Sequence, residues 1–267
     1  MSKASAKEYQ ECGYVVVRGL FGSQEIKALR ACLDIAQTRK PGEDWLTKDK
    51  MVFRSNLFQR STALQAFISQ PRIVDLVSTL IGPDFWVRWD QMVNKLPGGG
   101  EFPWHQDNAY NNLLTAHCQL WVALTPINLD MGGFWVQPGS HRQGLLQHRF
   151  IDRYAVFAGE VMNPVLIEAE AGDVILFSSY LLHSTSVNIS QHERCAYVVE
   201  FVPSRDIDPY IRSPYFRVAL HGRPAPRFQS FLPSHFSLRN QLLYLGPRLA
   251  RVARRMIQAS QSLGISQ

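Results

Sequence analysis

A chain of 267 residues with 46% hydrophobic and 19% charged residues can bury a sizeable core, and this composition excludes a disordered, collagen-like or coiled-coil protein. No apolar run approaches the roughly 18–20 residues that cross a bilayer, and the opening MSKASAKEYQECGY lacks the apolar stretch of a secretory signal, so a cytoplasmic protein is expected. The net charge of +6 is uneven, because nine arginines and no acidic residue follow Asp208, and the basic character belongs to the tail.

Residues 14–18 predict a short strand of β-branched residues, followed by a helix over 24–37 with Ser23 as its N-cap and Ile26, Leu29, Leu33 and Ala36 on one face. Two shorter helices are expected over 61–69 and 71–81. From Phe85 onward the pattern changes to short apolar runs between turn residues, at 85–96, 117–125, 134–137, 165–168, 173–177 and 194–202, which predicts a sandwich or barrel. The stretches 39–60 and 203–238 show little periodicity and exceed ordinary connections, so they are expected to be lids or substrate-binding walls. Near the end, Arg248, Arg251, Arg254 and Arg255 recur at helical spacing opposite Leu249, Val252, Ala253 and Met256, an amphipathic helix begun by Pro247. No repeat or linker divides the chain. A single domain over 1–267 is expected, with helical support and lid over 1–84, a β core over 85–202 and a basic extension over 203–267.

The chemistry-bearing residues cluster in two places. In PWHQDNAY, His105 and Asp107 stand two apart, so on an extended strand both project from one face and can converge on an ion. Alone this is a weak signal. His183 follows the strand-like run at 173–177, and Arg194 heads another apolar strand eleven residues later. Two imidazoles and one carboxylate bound facially leave adjacent positions open, the arrangement of non-haem Fe(II) oxygenases, and a buried arginine offers a fork for a carboxylate. The cysteines Cys12, Cys32, Cys118 and Cys195 form no CxxC pair, which disfavours a zinc-ribbon or thioredoxin site and suits a reducing compartment.

Several segments are similar to the phytanoyl-CoA dioxygenase family of Fe(II)- and 2-oxoglutarate-dependent oxygenases. They are EYQECGYVVVRGLF, the stretch from Lys95 ending in WHQD, WVAL at 121–124, GGFWVQPGSH at 132–141, and GDVILFSSYLLHSTSVN running on to RCAYVVEF. The resemblance implies a mainly β fold with flanking helices, built on a double-stranded β-helix, a jelly-roll or cupin-like core. It implies that His105, Asp107 and His183 hold iron and that Arg194 pairs with the distal carboxylate of 2-oxoglutarate. Lys95, Gln91, Trp121 and Thr185 match positions that touch the co-substrate or line its pocket in relatives. Where the family often has a serine two residues after the arginine, this chain has Ala196, which leaves Arg194 as the main anchor. The implied reaction consumes O2 and 2-oxoglutarate, releases succinate and CO2, and hydroxylates an unactivated C–H bond of a small molecule, with desaturation, epoxidation or cyclisation as variants.

Asn108, Tyr110, Arg54 and Phe53 are candidate substrate contacts, although a turn-forming role explains Asn108 equally well. Trp89, Trp104 and Trp135 read as core packing. His141 is intermediate, since its turn reads as structural while the family resemblance sets its counterpart near the active-site mouth, and His117, His148, His192, His221 and His235 carry no metal pattern. Competing readings are a jelly-roll hydrolase or isomerase using Zn or Mn, against which Arg194 argues, and a non-catalytic module that binds an anionic surface. A combined reading has the arginine-rich end hold a CoA ester, an anionic carrier or a membrane surface. Nucleic acid is not an expected partner, since the basic residues lack aromatic-rich or metal-finger patterns.

Overall fold

The computed structural model describes residues 3–38, 44–46, 49–111, 113–206, 208, 215–225, 230–231, 245 and 249. Helices α1 (Lys3–Cys12) and α2 (Ser23–Thr38) flank strand β1 (Tyr14–Val17). Strands β2 (Asp44–Leu46) and β3 (Met51–Ser55), a 3-10 turn at Leu57–Arg60 and helices α3 (Thr62–Ile68) and α4 (Pro71–Ile81) follow. Then come β4 (Phe85–Lys95), β5 (Phe102–His105), the one-turn α5 (Asn108–Asn111), β6 (Cys118–Ala123), β7 (Phe134–Val136), β8 (His148–Ile151) and β9 (Tyr154–Phe157). The remaining strands are β10 (Val165–Ile167), β11 (Val174–Ser178), β12 (His183–Thr185), β13 (Arg194–Pro203), β14 (Tyr215–Leu220), β15 (Arg223–Pro224) and β16 (Ser230–Phe231).

The strands form a ten-stranded antiparallel sheet running β1-β11-β6-β13-β4-β14-β15, with β3 also on β4, β2 on β3 and β16 on β14, a smaller sheet β10-β7-β12-β5 and the hairpin β8–β9. The large sheet is apolar on both faces, so its central strands do not alternate in polarity. In β13, Cys195, Tyr197, Val199 and Phe201 pack with the helices, while Ala196 and Val198 face the small sheet. The same split puts Leu120 and Val122 against the helices and Trp121 and Ala123 on the other side. Phe134, Val136 and Ile167 of the small sheet complete that second core. The architecture is a jelly roll backed by helices, as expected, and the helix face of Ile26, Leu29, Leu33 and Ala36 is buried against it. Ile26, Leu29 and Leu33 each contribute roughly 1.5–3 kcal/mol on burial.

Three sequence expectations are corrected. The cap of α2 is Gly22: its carbonyl accepts from Glu25 and Ile26, and Glu25 reaches back to its N–H at 2.9 Å, so Ser23 is already helical. Residues 51–55, expected to lie in a lid or substrate-binding wall, form a strand between β2 and β4, pairing Met51 with Lys95 and Phe53 with Val93 on the β4 side. Its five residues are too few for a periodic signal. Likewise Tyr215–Leu220, inside a stretch expected to be irregular, pairs with the other end of β4. The expected helix over 247–256 lies outside the described residues except for Leu249, which is helical and exposed. No helix among the described residues is long and apolar enough to cross a membrane.

Asp90, buried on β4, joins the 3-10 turn to the sheet, accepting from the Phe58 N–H at 2.9 Å and the Tyr197 hydroxyl at 2.5 Å. Burial pushes its carboxyl up to about 7 against the pull of these hydrogen bonds. A carboxyl raised in the fold binds its proton more tightly there than in the unfolded chain, so its contribution is full below about pH 4 and is lost as pH rises through about 7. Asp90→Asn, which cannot titrate, is expected to flatten the melting temperature against pH across this window. Calorimetry between pH 4 and 8 checks it, and an unchanged slope contradicts it.

Candidate active site

The small sheet brings the two histidines together. His183 on β12 lies directly across from His105 on β5, with ring centroids 4.1 Å apart. Asp107 arrives differently from the extended-strand expectation: β5 ends at His105, and a turn into α5, with the Tyr110 N–H on the Asp107 carbonyl at 3.1 Å, swings the carboxylate back. Its Oδ1 lies 3.4 Å from His105 Nε2 and 3.7 Å from His183 Nε2, and the three potential ligand atoms all lie within 4.8 Å of one another. Atoms bonded at about 2.1 Å to neighbouring corners of an octahedron stand ~3 Å apart, so this set fits a single ion with a small contraction.

The protein also fixes the tautomers. His105 Nδ1 donates to the Pro103 carbonyl at 2.8 Å and His183 Nδ1 to the Leu181 carbonyl at 2.9 Å, so each Nε2 presents its lone pair to the shared space. Burial, then the neighbouring His105, pushes His183 down to about 4, so it is neutral at physiological pH. Burial alone pushes the Asp107 carboxyl up, but His183 and His105 outweigh it and hold it below the usual range. The site therefore holds an ionised carboxylate and a neutral imidazole ready to bind a cation without releasing protons.

The middle residue of HQD, Gln106, points away and locks the turn. Its amide donates to the carbonyls of Gly144 and Tyr180 and accepts from the Leu146 N–H at 2.8 Å. Sequence reading missed this role.

Arg194 is 2% exposed and lies over the Trp121 ring, 5.7 Å from guanidinium carbon to centroid. It has no carboxylate partner among the described residues, and its Nε has no hydrogen bond. Burial pushes its pKa down to about 10, which still leaves it cationic. An orphaned buried guanidinium on a cavity wall is costly unless a ligand pairs with it. A dicarboxylate fits that requirement.

One cavity of about 360 Å³ joins these groups. It is lined by His105, Asp107, His183, Arg194, Trp121, Gln91, Thr185, Phe53 and Tyr110, nine of the twelve residues singled out in the sequence. The other three point elsewhere. Lys95 does not line the cavity: its Nζ donates to Thr185 Oγ1 at 2.8 Å and to the Ser186 carbonyl at 2.5 Å, so it holds Thr185 from behind. Gly132, at φ +81°, allows this, because a Cβ there would stand 2.7 Å from Lys95 Cδ and 2.8 Å from the Ser186 carbonyl. Arg54 alternates with Phe53 on β3 and donates to Asn94 at 3.1 Å instead. Asn108 clamps the Leu113 backbone through both its amide atoms at 2.8 and 3.0 Å, the turn-forming role.

Trp89, assigned to the core, lines the cavity, because it sits two residues from Gln91 on the same face of β4. Gln119, Asn111, Arg153 and Phe102 also line it and went unnoticed. Gln119 did leave a signal, as a polar residue two before Trp121 in an otherwise apolar strand. His141 is not one of the grouped ligands, and its Nε2 meets the Gln10 carbonyl at 3.2 Å.

A jelly roll carrying a facial two-histidine, one-carboxylate set beside a buried arginine belongs to the Fe(II)- and 2-oxoglutarate-dependent oxygenase class. Comparison with known proteins gives the family. The phytanoyl-CoA dioxygenase (PhyH) family model matches residues 9–196. Mouse peroxisomal phytanoyl-CoA dioxygenase is 25% identical over 229 residues, covering 73% of this chain and 66% of its own. An Arabidopsis thaliana phytanoyl-CoA dioxygenase is 38% identical over 119 residues, covering 41% of this chain and 42% of its own. The chain thus spans under two thirds of either relative. The epimerase SnoN, solved in complex with Fe3+, alpha-ketoglutarate and nogalamycin RO, superposes with a TM-score of 0.67 at 20% identity, covering 85% of this chain and 97% of its own. This chain belongs to the phytanoyl-CoA dioxygenase family.

Proposed function

We propose that this protein hydroxylates an unactivated C–H bond of a free small molecule, with His105, Asp107 and His183 holding Fe(II) and Arg194 seating 2-oxoglutarate. The observation that carries this reading is the convergence of the His105–His183 cross-strand pair, Asp107 and an unpaired buried Arg194 on one cavity. When bound, the iron and its co-substrates supply the oxidising power for C–H cleavage, with succinate and CO2 as products.

The chain's own residues do the rest. Arg194 pairs with the distal carboxylate, with the Trp121 ring supporting the guanidinium and Thr185, held by Lys95, and Gln91 placed to complete the seat. Ala196, two residues on from the arginine and across from Val93, offers no hydroxyl to the seat. Phe102, Phe134, Phe177 and Val198 exclude water from the walls, which protects a reactive centre from side reactions. Tyr110, whose hydroxyl accepts from the Ala155 N–H at 2.9 Å, ties the β8–β9 hairpin to the metal turn.

The cavity stands at the small end of the range for ligand sites, about 300–1000 Å³, which favours a compact substrate. A reducing compartment such as the cytoplasm suits the four free cysteines. The protein reconstituted with Fe(II) is expected to release CO2 from 2-oxoglutarate slowly without added substrate and to stop on chelation. Radiolabelled C1 carboxylate reads this directly, and release that persists after complete chelation contradicts it.

A further inference from the structure

Among the cavity-lining residues, Gln119 has no structural occupation. It is fully buried, and both its amide nitrogen and its amide oxygen lack a hydrogen-bond partner, so exchanging the two atoms would satisfy neither. Its cross-strand neighbours offer no relief. On one side is Phe177, and on the other is Glu200, whose oxygens are taken by Asn111 at 3.0 Å, Arg88 at 3.1 Å and His117 at 2.5 Å. A buried amide left bare costs about 1–3 kcal/mol, so its persistence on a cavity wall calls for a ligand.

Its position separates it from the co-substrate seat. Arg194 and Glu200 stand six residues apart on β13, so Gln119's rung lies one same-face step beyond Trp121, the ring over which the Arg194 guanidinium leans, and at the opposite end of β6 from Arg194's own. The bare Gln119 amide offers a donor and an acceptor together, which a neutral group carrying both satisfies. Trp89 and Phe177 supply flat apolar walls.

We propose that Gln119 reads the substrate, its amide hydrogen-bonding a neutral group that both donates and accepts, a carboxamide or an alcohol, at the end of the cavity remote from Arg194. This rests on the oxygenase reading, in that it takes the cavity beyond the triad as the substrate chamber. It assigns Gln119 to specificity, with no part in holding the metal or the co-substrate.

The test uses wild type and Gln119→Leu, loaded with Co(II) and 2-oxoglutarate under argon and titrated with benzamide and with acetophenone, its isostere lacking the donor. Wild type is expected to prefer benzamide. Gln119→Leu is expected to bind benzamide about tenfold more weakly and to prefer acetophenone, with Co(II) affinity unchanged. Its ligand-free form should melt no lower than wild type, since leucine removes an unpaired polar group. Equal benzamide binding by the two proteins, no benzamide preference in wild type, or a lower melting temperature showing that the fold already satisfies the amide overturns the proposal. Failure of wild type to bind Co(II) would instead sink the oxygenase reading, and the same titration of the metal-free protein would still decide the role of Gln119.

Discussion

Arg194→Met is expected to raise the 2-oxoglutarate concentration needed for half-saturation by about two to three orders of magnitude while leaving Co(II) binding intact. Removing one member of a buried ion pair costs about 2–5 kcal/mol, because the carboxylate is left desolvated without its partner. Lys95 does not replace it: burial and then Arg194 push it down to about 6, so it is mostly uncharged at neutral pH, and its amine is turned to Thr185 and Ser186. Arg194→Lys should recover little, since a point charge on a shorter stem cannot reproduce the two-pronged contact. The ligand-free Arg194→Met protein should melt at or above the wild-type temperature, because the guanidinium has no carboxylate there. Calorimetric titration of 2-oxoglutarate into the Co(II) form measures the first effect. A shift of less than about threefold would falsify the seat.

His105→Ala and Asp107→Ala are each expected to weaken Co(II) binding at least 100-fold, more than the 10–100-fold loss typical of residues that only orient a ligand. The two remaining donors of either variant cannot define a facial set. His192→Ala, at an exposed histidine outside the triad, is the control and should change affinity less than about twofold. The same loss appears in heat stability: saturating Co(II) raises the wild-type melting temperature by mass action and leaves that of the triad variants unmoved. Equal stabilisation of wild type and Asp107→Ala by Co(II) would show that the carboxylate is not a ligand.

The helices and long strands were legible because their burial is periodic: the stripe Ile26, Leu29, Leu33, Ala36 and the apolar runs of β4, β6, β11 and β13 need only local pattern to be read. Strand β3 was not, because five residues carry too few alternations, and Phe53 was separated from Arg54 only when the pairing with β4 set which one faces inward. The triad was legible through residue type and spacing together with family resemblance, although the extended-strand argument for Asp107 was wrong in its geometry. What produces the convergence is the turn held by Gln106 and Asn108, whose partners lie up to 74 residues away at Tyr180. Lys95 shows the same limit. The resemblance implies a place at the co-substrate pocket, but the glycine at 132 and the carbonyl of Ser186 draw it behind the wall. Gln119 and Trp89 became site residues only once the strand register put them on the face shared with Trp121 and Gln91.

The most direct test of the central reading is anaerobic titration of the metal-free protein with Fe(II) and then 2-oxoglutarate, followed by visible absorption. A charge-transfer band should develop in wild type only when both are present, be absent in His105→Ala, and need far more 2-oxoglutarate in Arg194→Met. Folded wild type that shows no band at saturating Fe(II) and 2-oxoglutarate would contradict the assignment of His105, Asp107, His183 and Arg194 to one oxygenase centre.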